Sequence, residues 1–313
     1  MDHPSHTRPP PPAGPRAERH GRLPMILAFL ALLLVIGFSS AFAQGRGRRG
    51  WGGESYVPPD ARTAREVQSH STETPMWTNT TGFDADTFTF TRVIYDHSRG
   101  FGRGRGAGWS TDLPDSDLNL SYRLQQMTSM RVDPNGRFLR VTDPDLQRHP
   151  FIYIVEPGSL FLHEEEILAL RSYLENGGFL LLDDFWGQEQ WDNAEHVINQ
   201  VLPGKKFVEL PLSHPLYSSV FTIQSKGQVP NVGLGMRSQY DPEKRTWEDE
   251  DDPEVHHRAL FDERGRLMVL ATHNTDNGDG WEREGEDGYF FRTFSEPIAY
   301  PLGINIIVYV MTH

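Results

Sequence analysis

Three short runs constrain the fold more than anything else in the chain: "FIYIV" (Phe151–Val155), "FLLLDD" (179–184) and "LMVLATH" (Leu267–His273). Each is apolar at successive positions, so each must bury both faces of an extended strand. Between and around them run amphipathic stretches. "SDLNLSYRLQQMTSM" places Leu120, Leu124 and Met127 on one helical face, with Ser116 or Asp117 as the expected cap. "HEEEILALRSYLENGG" aligns Ile167, Leu170, Tyr173 and Leu174, with Glu164 to Glu166 in its first turn and Gly177 at its end. A helix is expected from Glu189 to Val201, and "SEPIAYPLGINIIVYVMTH" reads as a closing helix with Pro301 in its path. Doubly buried strands alternating with helices predict an α/β fold, a three-layer sandwich around a mainly parallel sheet. "TFTFTRVIYD" is the first strand, and "KFVELPLSHPLY" and "SSVFTIQS" add further strand material.

The N-terminal part follows other rules. Arg16, Arg19 and Arg22 precede an apolar run from Leu23 to Ala43 that ends in Ala41-Phe42-Ala43. That is the pattern of a signal peptide over residues 1–43, with an uncleaved membrane anchor as the alternative. Either places the body outside the cytoplasm, periplasmic or extracellular. Residues 44–84 carry no sustained apolar period and read as a flexible linker, leaving 85–313 as the folded domain. Without residues 1–43 the net charge moves from −13 to −15, which disfavours nucleic acid as a partner. The chain has no cysteine, so disulfides and thiol catalysis are excluded.

In open parallel sheets, ligands bind beyond the carboxyl ends of the strands. Those ends carry Asp96, then Glu156, then Asp183 and Asp184, then His273, Asn274, Asp276 and Asp279. Trp109, Trp186 and Trp281 lie on the adjoining loops, and Asp112 follows Trp109. The expectation is a shared acidic and aromatic cleft formed by these twelve residues. Asp184, Glu156 and His273 are the candidates for acid–base work, and Asp184, Asp276 and Asp279 for holding a divalent cation, the one cofactor the pattern admits. The competing reading is that Asp and Asn at strand ends cap helices and close turns. The loop after "LMVLATH" fills several EF-hand positions (Asn277, Asp279, Gly280, Glu286), but Thr275 stands at the first and a strand precedes it, so it is not an EF-hand.

Other signals are weaker. "GFGRGRGAGW" loosely matches a dinucleotide loop but opens no helix, so it reads as a loop in which Arg103 and Arg105 face an anionic ligand at most. No G-x-S-x-G elbow, H-E-x-x-H or Walker sequence occurs. His214 is expected to fix a turn before Pro215. The acidic run "WEDEDDPE" (247–254) reads as an exposed insertion, with His256 and His257 solvated beside it.

The blocks "FTFTRVIYD", "GWSTDLPDSDLNL", "HPFIYIVEPG", "EEEILALRSYLENGGFLLLDDFWG", "ELPLSHPLY", "QVPN", "HNTDNGDGWE" and "GINIIVYVMTH" resemble, in that order, the bacterial domain-of-unknown-function 4159 family. The resemblance spans about Thr87 to His313 and implies a class I glutamine amidotransferase-like, flavodoxin-like fold. "LRSYLENGGFLLLDD" is also similar to the trehalose-utilisation branch of that superfamily. The amidotransferase nucleophile is a Cys, which this chain lacks, so the reaction is not carried over. Relatives beside von Willebrand-type and membrane segments imply an accessory role in an envelope-associated assembly. Three functions compete: a noncatalytic module binding a ligand such as an envelope glycan through Trp faces and carboxylates, a hydrolase of envelope glycans or esters, and a purely structural scaffold.

Overall fold

The computed structural model describes residues 55–71, 73–80, 82, 86–97 and 108–313. The expected signal peptide, the start of the expected linker and the loop with Arg103 and Arg105 lie outside these residues.

The first expected strand is three short ones. β1 (Thr87–Phe88), β2 (Thr91–Val93) and β3 (Asp96–His97) are followed by α1 (Asp115–Met127). Next come β4 (Arg131–Val132), β5 (Arg137–Leu139), β6 (Phe151–Val155) and β7 (Leu160–Phe161). Then follow α2 (Glu164–Glu175), β8 (Phe179–Asp183) and α3 (Gly187–Val201). β9 (Val208–Glu209), α4 (Val232–Ser238), β10 (His256–Phe261) and β11 (Leu267–His273) lead to α5 (Asn277–Glu282). The closing helix α6 runs from Gly288 to Thr312 and passes through a π-helical stretch, Phe291–Ala299, that accommodates Pro297.

The main sheet has the order β5-β2-β6-β8-β11-β10-β9. Its first five strands are mutually parallel, and β10 and β9 extend it antiparallel. The doubly apolar strands divide their side chains as the pleat requires. Phe151, Tyr153 and Phe179 join one buried cluster with α1 and α6, while Ile152, Ile154 and Leu180 join another with α2 and α3. Helices therefore cover both faces. The order reverses at β2, which has β5 on one side and β6 on the other.

Several local expectations are corrected. α1 begins at Asp115 rather than at a Ser116 or Asp117 cap, because those side chains are engaged in tertiary hydrogen bonds, and Met127 is 48% exposed. "SSVFTIQS" forms no strand; the Asn305 side chain of α6 accepts from the Val220 and Phe221 amides (3.0 and 2.8 Å) and donates to the Phe221 carbonyl. His257 is buried rather than solvated, since β10 alternates and turns it inward with Ala259. His214 does fix its turn, its Nδ1 accepting from the Leu216 amide.

The expected linker is corrected most. Part of it lies on the domain: the Phe138 amide of β5 donates to the Arg62 carbonyl (2.7 Å), and Ala64 and Val67 pack with Leu113, Leu118 and Phe138. Arg65 donates to the carbonyls of Pro134, Thr74 and Pro75. This stretch lacks an apolar period because backbone and polar contacts hold it.

Candidate functional site

The parallel strands β2, β6, β8 and β11 deliver their carboxyl ends to one edge, as the sequence required. Three of those ends share a backbone feature. Glu156 after β6, Asp184 after β8 and Asn274 after β11 have φ of 49°, 57° and 60°, and Asp112, on the connection from β2 to α1, has 63°. Left-handed backbone at a non-glycine residue costs about 1–3 kcal/mol and tends to concentrate at functional sites.

Asp183 and Asp184 are adjacent but differ. Asp183 Oδ1 accepts from Thr272 Oγ1 (2.6 Å) and Asn277 Nδ2 (2.8 Å), and Oδ2 from the Tyr153 hydroxyl and the Gly278 amide (3.2 Å each). Burial lifts its carboxyl to about 6 against those four donors. It is an anchor joining β8 to β6, β11 and α5. Asp184 accepts from the Trp186 indole (3.1 Å), and burial, then Glu156 and Asp112, push its carboxyl well up.

Asp276 closes the loop after β11 as the N-cap of α5, its Oδ1 accepting from the Asp279 amide at 2.7 Å. This is the turn-capping role the residue types suggested, but it does not exhaust them. Carboxylate oxygens of Asp112, Asp276 and Asp279 lie within 4.8 Å of one another. Asp276 and Asp279 are about 95% buried, and Asp112 Oδ2 is itself inaccessible and accepts no hydrogen bond among the described residues. Gly278 makes the approach possible: a Cβ there would sit 2.1 Å from Asp112 Oδ2. Burial pushes the Asp276 carboxyl well up, reinforced by Asp184, Asp279 and Asp112. Burial and Asp279 do the same to Asp112, opposed by Arg92 and Arg283.

Where the sequence expected Asp184 beside Asp276 and Asp279, it is Asp112 whose oxygen stands within 4.8 Å of theirs, because the segment from β2 returns against α5. Oxygens across a calcium ion, each bonded at 2.3–2.6 Å, stand up to about 5 Å apart, whereas magnesium would draw them to about 4 Å. A set of carboxylate oxygens within 4.8 Å of one another suits a hard divalent cation.

Nearby cations are otherwise engaged. Arg92, buried in β2, donates to Asp117, to Ser116 Oγ and to the carbonyls of Trp109 and Thr111, with its guanidinium 5.0 Å from the Tyr153 ring centre. Arg283 Nε lies 2.5 Å from Glu282 and 3.5 Å from Asp279.

The family comparison bears on this arrangement. A sequence profile described as a domain of unknown function (DUF4159) matches residues 89–311, which include the strand-end acids and α5. The chain belongs to that family. No curated protein matches it.

The other expected site residues of this DUF4159 domain are engaged as follows. His273 is buried on the α3 side. Its Nε2 donates to the Gly187 carbonyl (3.0 Å) and its Nδ1 accepts from Arg258 Nη1 (3.1 Å), so both nitrogens are occupied, and burial lowers its pKa to about 4. Asn274 ties Gly187 and the Glu254 carbonyl. Asp96 pairs with Arg140 (3.1 Å) and His163 near the surface. The tryptophans do not wall a cleft: Trp281 is 1% exposed with its indole on the Ala299 carbonyl, Trp186 is 6% exposed, and Trp109 meets Phe138 edge-on. Large rings gain more by entering the core than by lining an acidic edge. Glu156 accepts from the Gly108 amide (3.1 Å).

Sequence reasoning missed Arg92, Glu248, Glu282 and Arg283. A lone Arg in an otherwise apolar strand was the available sign for Arg92. Glu248, in the acidic run, is exposed yet adds its charge to the Asp184 environment.

Proposed function

We propose that this domain is an exported ligand-binding module whose strand-end crevice works through a hard divalent cation such as calcium, held by Asp112, Asp276 and Asp279. The carrying observation is the triad itself, with Asp276 and Asp279 buried and a buried Asp112 oxygen that accepts no hydrogen bond among the described residues. Burial and neighbouring acids push the Asp112 and Asp276 carboxyls up, and a divalent ion would relieve that desolvation and repulsion. Glu156, Asp184 and Glu248 would face whatever ligand completes the coordination, so the ligand is read through the ion and carboxylates rather than through tryptophan faces.

The five parallel strands, numbered among themselves, run 2-1-3-4-5, the flavodoxin-like order. This order supports the amidotransferase-like fold, and the lack of Cys still removes that chemistry. The basic-then-apolar N-terminus supports export, and an envelope glycan or membrane-associated assembly remains the partner class.

A hydrolase is the second reading, favoured by the left-handed backbone of Glu156 and Asp184 at adjacent strand ends. A cation-bound water activated beside such carboxyls could attack a glycoside or ester. In that case Asp184→Asn abolishes turnover of such substrates and leaves cation binding intact.

The direct test is thermal unfolding of the full chain after chelation, with calcium, magnesium, manganese or zinc added back. Binding to the folded state alone stabilises by about 2.7 kcal/mol at a hundredfold excess over Kd. Calcium should raise the midpoint most, and Asp112→Asn and Asp276→Asn should lose the shift. No shift with any ion would sink the reading.

A further inference from the structure

The stretch from Ser55 to Trp77 has too little apolar surface to order itself; besides its contacts along β4 and β5, a second group of its polar contacts reaches α1 and α5. Ser69 Oγ donates to Asp115 Oδ1 (2.5 Å), and the amides of His70 and Ser71 donate to Asp115 Oδ2 (3.0 and 3.2 Å). The His70 ring reaches further, its Nε2 hydrogen-bonding Glu282 Oε1. Ser55 Oγ donates to the Gln68 carbonyl (3.1 Å) and lies 2.7 Å from His70 Nδ1, so it accepts the proton that Nδ1 carries. One more proton lies between His70 Nε2 and Glu282, leaving that pair without net charge whichever atom holds it. A few residues on, Thr74 Oγ1 donates to Asn119 (2.5 Å), whose amide spans to the Trp281 carbonyl (2.9 Å).

Asp115 and Glu282 are not arbitrary anchor points. Asp115 opens α1, one short turn after Asp112; Glu282 ends α5, whose N-terminal part carries Asp276 and Asp279. Both anchors are buried, at 0% and 1% exposure. Glu282 also holds Arg283, and Arg283 faces Asp279. The N-terminal stretch thus spans the two segments that must stay together for three carboxylates to share one ion.

We infer that Ser69-His70-Ser71 is a clasp that sets the geometry of the cation site, with His70 as its positioning residue, so that docking of the N-terminal stretch and cation binding reinforce each other. The inference rests on the cation reading above. Removing groups that orient metal ligands from behind lowers metal affinity by about 10–100-fold. Reciprocity then requires the ion to hold the clasp by the same factor that the clasp favours the ion.

The experiment is isothermal titration of the full-length chain with calcium alone, alongside limited proteolysis of residues 55–77 with and without calcium. His70→Ala should weaken the calcium Kd about tenfold, and Ser69→Ala, which loses one hydrogen bond, by a smaller factor. His70→Gln, which keeps a donor for Glu282, should recover part of the loss. Calcium should slow cleavage of the stretch in the unsubstituted chain and leave it unchanged in Asp276→Asn. A purely structural clasp would lower the unfolding midpoint of both variants while calcium Kd stayed the same, and that result overturns the inference. So does cleavage indifferent to calcium in a chain that binds it. If His70→Ala does not fold, Ser69→Ala carries the same decision. Absence of calcium binding in the unsubstituted chain overturns the cation reading as well, which separates the two failures.

Discussion

The two ends of the main sheet handle charge in opposite ways. On the antiparallel side, cations and acids pair off. His256 lies between Glu209 (3.4 Å) and Asp252 (3.5 Å), Lys226 meets Glu209, and the Arg258 guanidinium stands 4.0 Å from the Trp191 ring centre. At the carboxyl edge of the parallel strands, acids gather instead: burial pushes Asp112, Asp184 and Asp276 up, and Asp279 adds to Asp112, Glu156 and Asp112 to Asp184, and Asp184 and Asp279 to Asp276. Both regions are rich in ionisable residues, so composition does not separate them. What separates them is burial: it holds the Asp112, Asp184 and Asp276 carboxyls up at the strand ends, where Arg283 faces Asp279 and Glu282.

Within the acid side, the comparison should break along pairing. Arg92→Leu strands the buried Asp117 carboxylate and is expected to cost about 3–5 kcal/mol in denaturant unfolding. A loss near zero would mean the pair is replaceable and the acid edge less strictly organised. Asp183→Asn should cost about 2–3 kcal/mol, because an amide NH2 then faces donors that converged on a carboxylate. Asp184→Asn, where the Trp186 indole is the one donor among the described residues, should cost little by the same measurement.

Acid sensitivity sharpens the contrast further. Burial holds His257 at about 3 in the fold, below its ordinary 6.5. Between those values the unfolded chain takes up a proton that the fold refuses, so this group's stabilising contribution is full above 6.5 and lost as pH falls toward 3. Asp183 works in reverse: with its folded pKa raised to about 6, the fold binds the proton first, and stability rises as pH falls from 6 toward the unfolded value near 3.8. His257→Gln should therefore remove a slope of up to about 1.4 kcal/mol per pH unit and expose the acid side's opposite trend. Unfolding free energies at pH 6.5, 5.5 and 4.5 read this directly; an unchanged slope would place the sensitivity elsewhere. The smallest effect is expected from Asp276→Asn without metal, a gain of up to about 1 kcal/mol as one repelling carboxyl is removed and the Asn retains the cap.

Much of the fold was legible because burial on both faces leaves its mark on consecutive residues. "FIYIV", "FLLLD" and "LMVLATH" became β6, β8 and β11, parallel and adjacent, and the strand-end rule located the acid edge. Membership of the site was less legible. Asp112 displaced Asp184 from the triad because the return path of the segment after β2 is a tertiary fact that no local period encodes. Trp281 offered a large ring in an acidic loop, and only packing against α6 decided that it turns inward. His70 left no sign at all, since a clasp made of backbone amides, Ser and His has the composition of a linker. His257 could have been found by strict alternation along "HHRALF", where burial falls on His257 and Ala259.

β11 is an interior strand of the sheet yet comes late in the chain, and it bonds back to β8 across 90 residues, as from Thr272 Oγ1 to the Leu182 carbonyl. Assembly is therefore governed by chain order. Until Leu267–His273 has been synthesised, β8 has a bare apolar edge, and neither β10 nor α6 has its place against the core. Such non-local pairing is slow, and an open strand edge invites pairing with other chains. A nascent or truncated chain that stops at the acidic run would carry the hazard without its remedy, so the last central strand acts as the step that commits the molecule to being soluble or aggregated.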